Sequence, residues 1–350
     1  MQAIIGTAVV CGIIAWLALF PLRVYLVRWG LVDIPNWRSS HVVPKPRGGG
    51  LAIVVVVLLG LPVYWIAAGG PEDTPVLLAL VLGSLLIATT SFVDDMRGLP
   101  VVIRLSAHLA AACILIVGVG VWHTLEVPGL PSIHLGILAL PVTLVWIVGL
   151  TNIFNFMDGI DGIAGGQASV FGIVLAMLGV LAGQPLFAWI GLILFTANLG
   201  FLAHNWSPSR IIMGDVGSTF LGFLFAGLIV AAAQRDQTLA LASLLPLWPF
   251  IFDATLTFLR RLRRGDNVLA AHREHLYQRL VIKGNSHGRI ALLFIMLASA
   301  GGIVAIVWYQ DRGPFLFNVG AGLIALMAVV LVAVSAARGA PPQSAPMPKT

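Results

Sequence analysis

Long apolar segments alternate with short polar ones along most of the chain. Eleven apolar segments are roughly 17–25 residues long, the length that an α-helix needs to cross the hydrocarbon core of a bilayer. They lie at about 3–27, 49–68, 75–92, 101–122, 136–151, 163–182, 186–204, 217–233, 238–259, 289–309 and 314–336. The pattern predicts an all-α, polytopic membrane protein with eleven transmembrane helices in one integral-membrane domain, residues 1–336.

The composition supports this prediction. Hydrophobic residues make up 59% of the chain and charged residues only 10%, which excludes a soluble domain because only a bilayer solvates so many apolar runs. The net charge of +6 indicates contact with the lipid bilayer and not with nucleic acid, since basic residues beside membrane spans set orientation and meet anionic lipid. Cys11 and Cys113 both lie in apolar segments, which argues against a disulfide or a metal pair.

The basic residues predict how the chain is oriented. With the N-terminus outside, only Arg235 and Arg312 of the 20 Lys and Arg residues fall on the outer side. Cytoplasmic loops carry an excess of Lys and Arg, so the asymmetry predicts an outer N-terminus and a cytoplasmic C-terminus. The Pro-rich segment 337–350 is expected to be a disordered cytoplasmic tail.

Four polar side chains lie three residues apart in the stretch N-I-F-N-F-M-D-G-I-D-G-I-A-G-G, residues 152–166. If this stretch is one helix, Asn152, Asn155, Asp158 and Asp161 can point into one cavity. Carboxylate and amide oxygens are the ligands that hard cations such as Mg²⁺ prefer. Interhelical polar contacts are the alternative, but four such groups with four glycines favour a functional site.

Three further carboxylates are predicted on the same membrane face. Asp94 and Asp95 follow an apolar segment, where adjacent carboxylates need a compensating cation or serve as a base; an ordinary acidic turn is the alternative. Asp215 lies in G-D-V-G-S-T at the start of a span, where a helix N-terminus suits phosphate and a carboxylate suits Mg²⁺. A simple N-cap formed by Asp215 or Ser218 is the alternative there.

Two basic loops, residues 33–50 and 260–289, are also predicted on the cytoplasmic side. Their imidazole, ammonium and guanidinium groups suit phosphate or sugar, with a solvated loop as the alternative. A zinc site is disfavoured because no cysteine lies nearby and no third ligand has suitable spacing. The candidate side chains are His41, Lys45, Arg47, His272, Arg273 and His275.

Other polar groups near these loops have plainer interpretations. The arginine run at 260–264 is interpreted mainly as an orientation signal. Asp253, near the inner end of the ninth span, is expected to pair with one of those arginines or to line the site. His108 in the fourth span is expected to be a satisfied residue inside the bundle.

Acidic and basic groups therefore converge on one membrane face. Acids can hold Mg²⁺, Mg²⁺ can neutralise a diphosphate, and basic loops can hold the remaining negative charge. This combination favours an enzyme that joins a cytosolic anion to a lipid-borne reactant. A transporter of an anionic solute is the alternative, but it would need polar residues deep in several spans and an internal repeat, and the sequence indicates neither.

At these residues the sequence resembles the polyprenyl-phosphate N-acetylhexosamine-1-phosphate transferases. The matching motifs are H-V-V-P-K-P-R-G-G-G, F-V-D-D, N-I-F-N-F-M-D-G-I-D-G, M-G-D-V-G-S and R-E-H. The resemblance implies that undecaprenyl phosphate attacks the β-phosphorus of a UDP-N-acetyl sugar, that UMP leaves, and that a polyprenyl-diphosphate sugar forms. It also implies Mg²⁺ as cofactor, with Mn²⁺ as a substitute, and leaves a monomer and a homodimer both open.

The resemblance also assigns roles to individual residues. Asp161 would face uracil, with Asp158 beside it at the nucleotide end. Asp94 and Asp95 would receive the lipid phosphate and could deprotonate it, and His275 with Arg273 would contact the sugar diphosphate. The catalytic residues expected are thus Asp94, Asp95, Asp158 and Asp161; the substrate-binding residues His41, Lys45, Arg47, Asn152, Asn155, Asp161, Arg273 and His275; and the metal ligands Asn155 and Asp215.

The last basic loop departs from the pattern of the O-antigen initiators, which often have D-R-x-H-x-H-H. Here the loop reads H-R-E-H-L-Y-Q, so that Tyr277 and Gln278 occupy the last two histidine positions and His272 replaces the acid. This is similar to the WbpL-like branch, which implies a 6-deoxy N-acetyl sugar such as FucNAc or QuiNAc and a role in initiating O-antigen of lipopolysaccharide or another cell-envelope polysaccharide.

Overall fold

The computed structural model describes residues 2–35, 43–68, 73–267 and 272–336. His41 and the expected tail at 337–350 lie outside the described residues. The helices are α1 Gln2–Arg28, α2 Gly50–Ala68, α3 Thr74–Arg97, α4 Val101–Val119, α5 Ala139–Met157, α6 Ile163–Leu181, α7 Pro185–Asn205, α8 Asp215–Ala233, α9 Gln237–Leu244, α10 Trp248–Arg264, α11 Leu276–Ile282, α12 His287–Asp311 and α13 Pro314–Ala336.

Two short antiparallel hairpins complete the described structure. One pairs β1 Val32–Asp33 with β2 Lys45–Pro46, and the other pairs β3 Thr124–Leu125 with β4 Ile133–His134. Over the described ranges, eleven segments are long and apolar enough to cross a membrane. The predicted all-α, polytopic architecture with eleven spans is therefore confirmed.

The ninth span is broken in its middle. It runs over Gln237–Arg264, but α9 ends at Leu244 and a 3₁₀ turn, Leu245–Leu247, separates it from α10. Pro246 lies in this turn, and its carbonyl accepts a hydrogen bond of 2.7 Å from the Gln167 side chain on α6. A partner on a neighbouring helix satisfies backbone that a break would otherwise leave unpaired in lipid.

Helix α8 is the centre of the bundle, and all of its residues after Asp215 are buried. It packs against α2, α3, α4 and α5. Glycines allow the closest contacts: a Cβ on Gly222 of α8 would lie 2.8 Å from the Leu150 carbonyl oxygen of α5, and one on Gly50 at the start of α2 would overlap Gly217 of α8. Small residues let helix backbones approach in membranes, so the ends of α2, α5 and α8 come together.

Two helices continue beyond the spans predicted from hydropathy. Helix α3 runs to Arg97 and includes Asp94 and Asp95, while α5 runs to Met157. Hydropathy detects the apolar part of a helix, whereas a helix continues as long as its backbone hydrogen bonds are satisfied. The stretch from Asn152 to Asp161 is helical only in part: α5 includes Asn152 and Asn155, whereas Asp158 caps α5 and Asp161 lies in the turn that precedes α6.

Candidate active site

The acidic centre lies where the end of α3 meets the start of α8. The Asp95 carboxylate is fully buried and accepts hydrogen bonds from the backbone N–H groups of Asp215, at 3.1 Å, and Val216, at 3.0 Å. Gly214, at the N-cap position, has no side chain to do this. Asp95 therefore caps α8 from a neighbouring helix, where a carboxylate also favours the helix dipole.

Arg47 joins the two carboxylates of this centre. Its Nε lies 2.7 Å from Asp95 Oδ1, and its guanidinium donates to Asp215 Oδ1 at 2.5 Å. Burial opposes its positive charge, but Asp215 and Asp95 nevertheless hold the pKa of Arg47 above its ordinary value. The backbone positions this side chain, because the N–H groups of Gly49 and Gly50 donate to the segment that leads into α8.

Asp94 has different partners from its neighbour. Its Oδ1 accepts from the Leu99 N–H at 2.5 Å, and its Oδ2 accepts from Arg104 of α4 at 3.1 Å. Arg104 also lies 3.9 Å from Asp215 Oδ2. The two adjacent acids thus divide their contacts, Asp95 toward the α8 backbone and Asp94 toward a cationic side chain.

A cavity of about 220 Å³ adjoins this centre. Asn155, on its wall, donates to Ser218 Oγ at 2.9 Å, and Asn152 lies 3.2 Å from His108 Nδ1. His108 is buried and hydrogen-bonded inside the bundle, as expected, and it also lines this cavity. The polar lining residues are Ser91, Asp94, Arg104, His108, Asn152, Asn155, Asp215 and Thr219.

The donor set of the cavity fits a magnesium ion. No group of three or more His, Cys, Asp or Glu side chains suited to a metal occurs in the part of the chain that the structure describes. Magnesium does not need such a cage, because it is commonly bound through one or two carboxylates, waters and substrate phosphates. Asp215 and Asn155 present a carboxylate and an amide to the same cavity.

Asp158 is half-buried at the end of α5, at the edge of the acidic centre. Desolvation, together with the negative charge of Asp215, raises the pKa of Asp158 to about 8.

Asp161 belongs to a separate polar cluster. Its carboxylate accepts from Lys45 Nζ at 2.9 Å and from Ser209 Oγ at 2.7 Å, and it lies 3.4 Å from His287 Nδ1. Burial favours the neutral acid, but hydrogen bonds from His287, Ser209 and Lys45 hold the pKa of Asp161 well below its usual range. Of the four side chains expected to share one cavity, Asn152 and Asn155 line the polar cavity described above, whereas Asp158 and Asp161 are not among its lining residues.

The last basic loop contains the short helix α11 and packs against the Asp158 turn. The Tyr277 hydroxyl donates to the Phe156 carbonyl at 3.1 Å, and a Cβ on Gly159 would overlap the Tyr277 side chain. His275 occupies the N-cap position of α11 and lies buried beside Asp253, with 3.2 Å between Nδ1 and Oδ1. Of the two alternatives expected for Asp253, pairing with an arginine of the 260–264 run is not observed, and its partner lies instead on the loop that packs against the Asp158 turn.

Four contributors to the site were not identified as such from the sequence: Arg104, His108, Ser209 and His287. Only Arg104 and His108 could have been identified from a pattern in the sequence. Arg104 and His108 are one helical turn apart, so they share a face of α4 and follow the Asp94–Asp95 pair closely. Ser209 and His287 reach Asp161 only through tertiary contacts.

A large apolar cavity of about 990 Å³ lies between α5, the broken ninth span and α13. Ile251, Phe252 and Thr255 of α10 line it, and Phe258, one turn further along α10, lines the polar cavity. The exposed side chain of Val329 on α13 also forms part of its wall, so the apolar cavity opens toward the surrounding lipid. One face of α10 thus borders both cavities.

Comparison with known proteins identifies the family. Residues 77–233 match the model of glycosyl transferase family 4. The chain is 32% identical to a probable undecaprenyl-phosphate N-acetylglucosaminyl 1-phosphate transferase of Bacillus subtilis, across 80% of this chain and 78% of that protein. It is 30% identical to the decaprenyl-phosphate N-acetylglucosaminephosphotransferase of Mycobacterium tuberculosis, across 91% and 86%.

A third relative is the undecaprenyl-phosphate alpha-N-acetylglucosaminyl 1-phosphate transferase of Salmonella typhi, 28% identical across 81% of this chain and 77% of that protein. These similarities extend over most of the membrane bundle, including both helices that carry the acidic centre. They confirm the resemblance inferred from the motifs: the chain belongs to the polyprenyl-phosphate N-acetylhexosamine-1-phosphate transferases of glycosyl transferase family 4.

Proposed function

We propose that this chain transfers an N-acetylhexosamine 1-phosphate from a UDP-sugar to undecaprenyl phosphate and releases UMP. The observation that carries the proposal is the polar cavity in which Asp94, Asp215 and Asn155 meet Arg104. Oxygen ligands and a cation lie side by side there, the combination that transfer between two phosphate groups requires. In the reaction, an oxygen of the lipid phosphate bonds to the β-phosphorus, and the bond from that phosphorus to the bridging oxygen of UMP breaks.

Asp215 and Asn155 would hold Mg²⁺, or Mn²⁺ in its place. When bound, the ion would neutralise negative charge on the donor diphosphate. The arrangement around Asp215 supports this role, because Arg47 and Arg104 offset the charge of its carboxylate without enclosing it.

The apolar cavity is the proposed site of the polyprenyl chain. Its wall on α10 leads directly to Phe258 in the polar cavity, so a lipid lying along α10 would bring its phosphate to Arg104 and Asp94. Arg104 would hold that phosphate by charge-assisted hydrogen bonds. Asp94 is then the acid best placed to receive its proton, since the Asp95 carboxylate is already occupied by Arg47 and the α8 backbone.

The nucleotide end is proposed to lie at the cluster of Lys45, Asp161, Ser209 and His287. Lys45 also donates to Ser209 Oγ at 2.8 Å, so the cluster is cross-linked and rigid. His275 and Arg273, on the loop that packs against the Asp158 turn, are proposed to contact the sugar diphosphate. The site would face the cytoplasm, where UDP-sugars are available, with the protein in the bacterial inner membrane.

The three relatives are named for the transfer of N-acetylglucosamine 1-phosphate, which makes UDP-N-acetylglucosamine the first donor to test. The 6-deoxy sugars implied by the last basic loop, and a role in O-antigen synthesis, are the more specific hypotheses. A donor panel separates them, because QuiNAc lacks the 6-hydroxyl of N-acetylglucosamine and FucNAc differs from it in configuration as well.

In the decisive experiment, the purified protein is placed in nanodiscs and supplied with undecaprenyl phosphate, Mg²⁺ and one UDP-sugar at a time. The UMP that is released is then measured. We expect UMP release that requires both the lipid and the metal. Asp215→Asn should abolish UMP release. The control is Asp311→Asn, the same change in an exposed residue at the end of α12, which should leave UMP release intact. Uptake of an intact UDP-sugar into vesicles that lack polyprenyl phosphate, with no UMP formed, would instead establish the transporter alternative.

A further inference from the structure

Asp253 makes a set of contacts that no step of the proposed reaction uses. Its side chain is completely buried within α10. Its Oδ1 accepts from the Leu276 N–H at 2.8 Å and its Oδ2 from the Tyr277 N–H at 3.1 Å. The Thr257 hydroxyl, one turn further along α10, adds a hydrogen bond of 3.2 Å. A carboxyl group at this depth is costly unless it is fully paired, and here its partners belong mainly to the last basic loop.

The same carboxylate orients an imidazole. Asp253 Oδ1 lies 3.2 Å from His275 Nδ1, and a carboxylate can only accept there, so Nδ1 carries the proton. This fixes the tautomer and directs Nε2 away from Asp253, as the partner of one ring nitrogen generally does. His275 Nε2 is then the nitrogen that is available to a ligand.

The neighbouring side chains brace this arrangement. Gln278 Oε1 accepts from the His275 N–H at 3.3 Å, and the His275 ring stacks on Tyr277 with 5.7 Å between centroids. Tyr277 is fully buried and donates to the Phe156 carbonyl, next to the Asp158 turn. Tyr277 and Gln278 thus face the interior of the protein, and their replacement of histidines does not by itself change the surface offered to a sugar.

We infer that Asp253 is a positioning residue that holds the His272–Gln278 loop against the active site and sets the tautomer of His275. The inference rests on the proposed function, in which His275 contacts the sugar diphosphate. Asp253 itself touches no substrate and acts through His275. The carboxylate connects α10, which borders the apolar cavity, to the loop proposed to hold the soluble substrate. The proposed sites of both substrates are therefore positioned relative to α10.

The test is a double-mutant cycle on UMP release, with Asp253→Asn, His275→Ala and the combined variant in purified full-length protein. Losing a hydrogen bond to a charged group corresponds to about 10- to 100-fold in kcat/KM, and that is the expected loss for Asp253→Asn. If Asp253 acts through His275, the combined variant should be no worse than His275→Ala by more than about twofold. Losses that multiply, or an Asp253→Asn enzyme with wild-type kcat/KM, would overturn the inference.

Asp236→Asn is the matched control. Asp236 lies at the other end of the same broken span and likewise accepts from two backbone N–H groups at a helix start, Thr238 and Leu239. The Asp236→Asn variant should lower the thermal midpoint as Asp253→Asn does. Its effect on kcat/KM, however, should combine multiplicatively with that of His275→Ala, as expected for two independent sites. Asp253→Glu, which keeps the charge, should recover much of the lost activity. If Asp253→Asn does not fold, Asp253→Glu replaces it in the double-mutant cycle.

Hydrogen exchange gives a readout that does not depend on turnover. The Leu276 and Tyr277 amides should exchange at least about tenfold faster in Asp253→Asn than in wild type, because their acceptor is weakened; unchanged protection would contradict the inference. Wild-type protein is assayed first. If the wild-type protein releases no UMP with any donor, the proposed function is refuted. If the wild type is active but the effects of Asp253→Asn and His275→Ala on kcat/KM are independent, only the role of Asp253 is refuted.

Discussion

Asp94 and Asp95 are adjacent in sequence but have different environments. Asp95 is surrounded by the α8 backbone and Arg47, whereas Asp94 faces Arg104 and the polar cavity. The sequence singled out both acids as candidates. It could not separate their roles, because the partners of Asp95 are backbone amides more than one hundred residues away in the chain.

Substitution should separate the two acids. Asp95→Asn leaves Arg47 and two α8 amides without their carboxylate, and breaking a buried pair costs about 3–5 kcal/mol, so a clearly lower thermal midpoint is expected in addition to lost activity. Asp94→Asn should keep a midpoint near wild type and lose about 100-fold or more in UMP release. A normal midpoint for Asp95→Asn would contradict its role as a cap.

Asp158 should make stability depend on pH. Its pKa in the folded protein is raised to about 8, so the folded state binds this proton more tightly than the unfolded state does. The resulting stabilisation is complete below the ordinary pKa of about 4 and is lost as pH rises toward 8. In EDTA, the wild-type thermal midpoint should fall between pH 6 and pH 8, and the fall should be smaller in Asp158→Asn. Parallel curves for the two proteins would refute this assignment.

At the scale of helices, the apolar pattern was sufficient to predict all eleven spans. Apolar length reports which segments cross a bilayer, since every backbone group must be paired there. The pattern did not predict the ends of α3 and α5 or the turn at Leu245–Leu247. Polar residues at a helix end resemble loop residues in hydropathy, and the bonding of Pro246 to Gln167 is a contact between distant segments.

Close packing of α8 on α5 should be sensitive to a single methyl group. A Cβ on Gly222 would lie 2.8 Å from both the Leu150 carbonyl oxygen and Thr151 Cα, so Gly222→Ala must push the helices apart. Overpacking costs about 1–3 kcal/mol, and UMP release should fall because Asn155 moves with α5. Gly149→Ala is the control, as its Cβ meets nothing within 4 Å. Equal midpoints and rates for the two variants would show that the contact is unimportant.

At the scale of the molecule, the bundle brings two unlike cavities together on α10. The polar one is lined by acids, amides and a cation, and the apolar one by α5, α9, α10 and α13. The sequence predicted the polar site from clustered motifs. It did not predict the apolar cavity, because side chains that face lipid and side chains that line a cavity between helices have the same composition.

Filling the apolar cavity should weaken lipid use selectively. Ala325→Trp places a large ring in it, and the KM for undecaprenyl phosphate should rise about tenfold, which corresponds to roughly 1.4 kcal/mol. The KM for the UDP-sugar should change little. Leu326→Trp, on an exposed neighbouring position outside the lining, is the control. An equal effect of both variants, or an effect on the UDP-sugar alone, would argue against lipid in this cavity.

The break at Leu245–Leu247 has a consequence for how the enzyme would meet its substrates. Because Leu244 and Leu245 at this break line the apolar cavity, which opens toward the lipid, one reactant can arrive by lateral diffusion while the other comes from water. Turnover would then follow the mole fraction of polyprenyl phosphate in the bilayer and not its amount per volume of solution. The finished product would drift away sideways, already in the compartment where the next enzyme must find it.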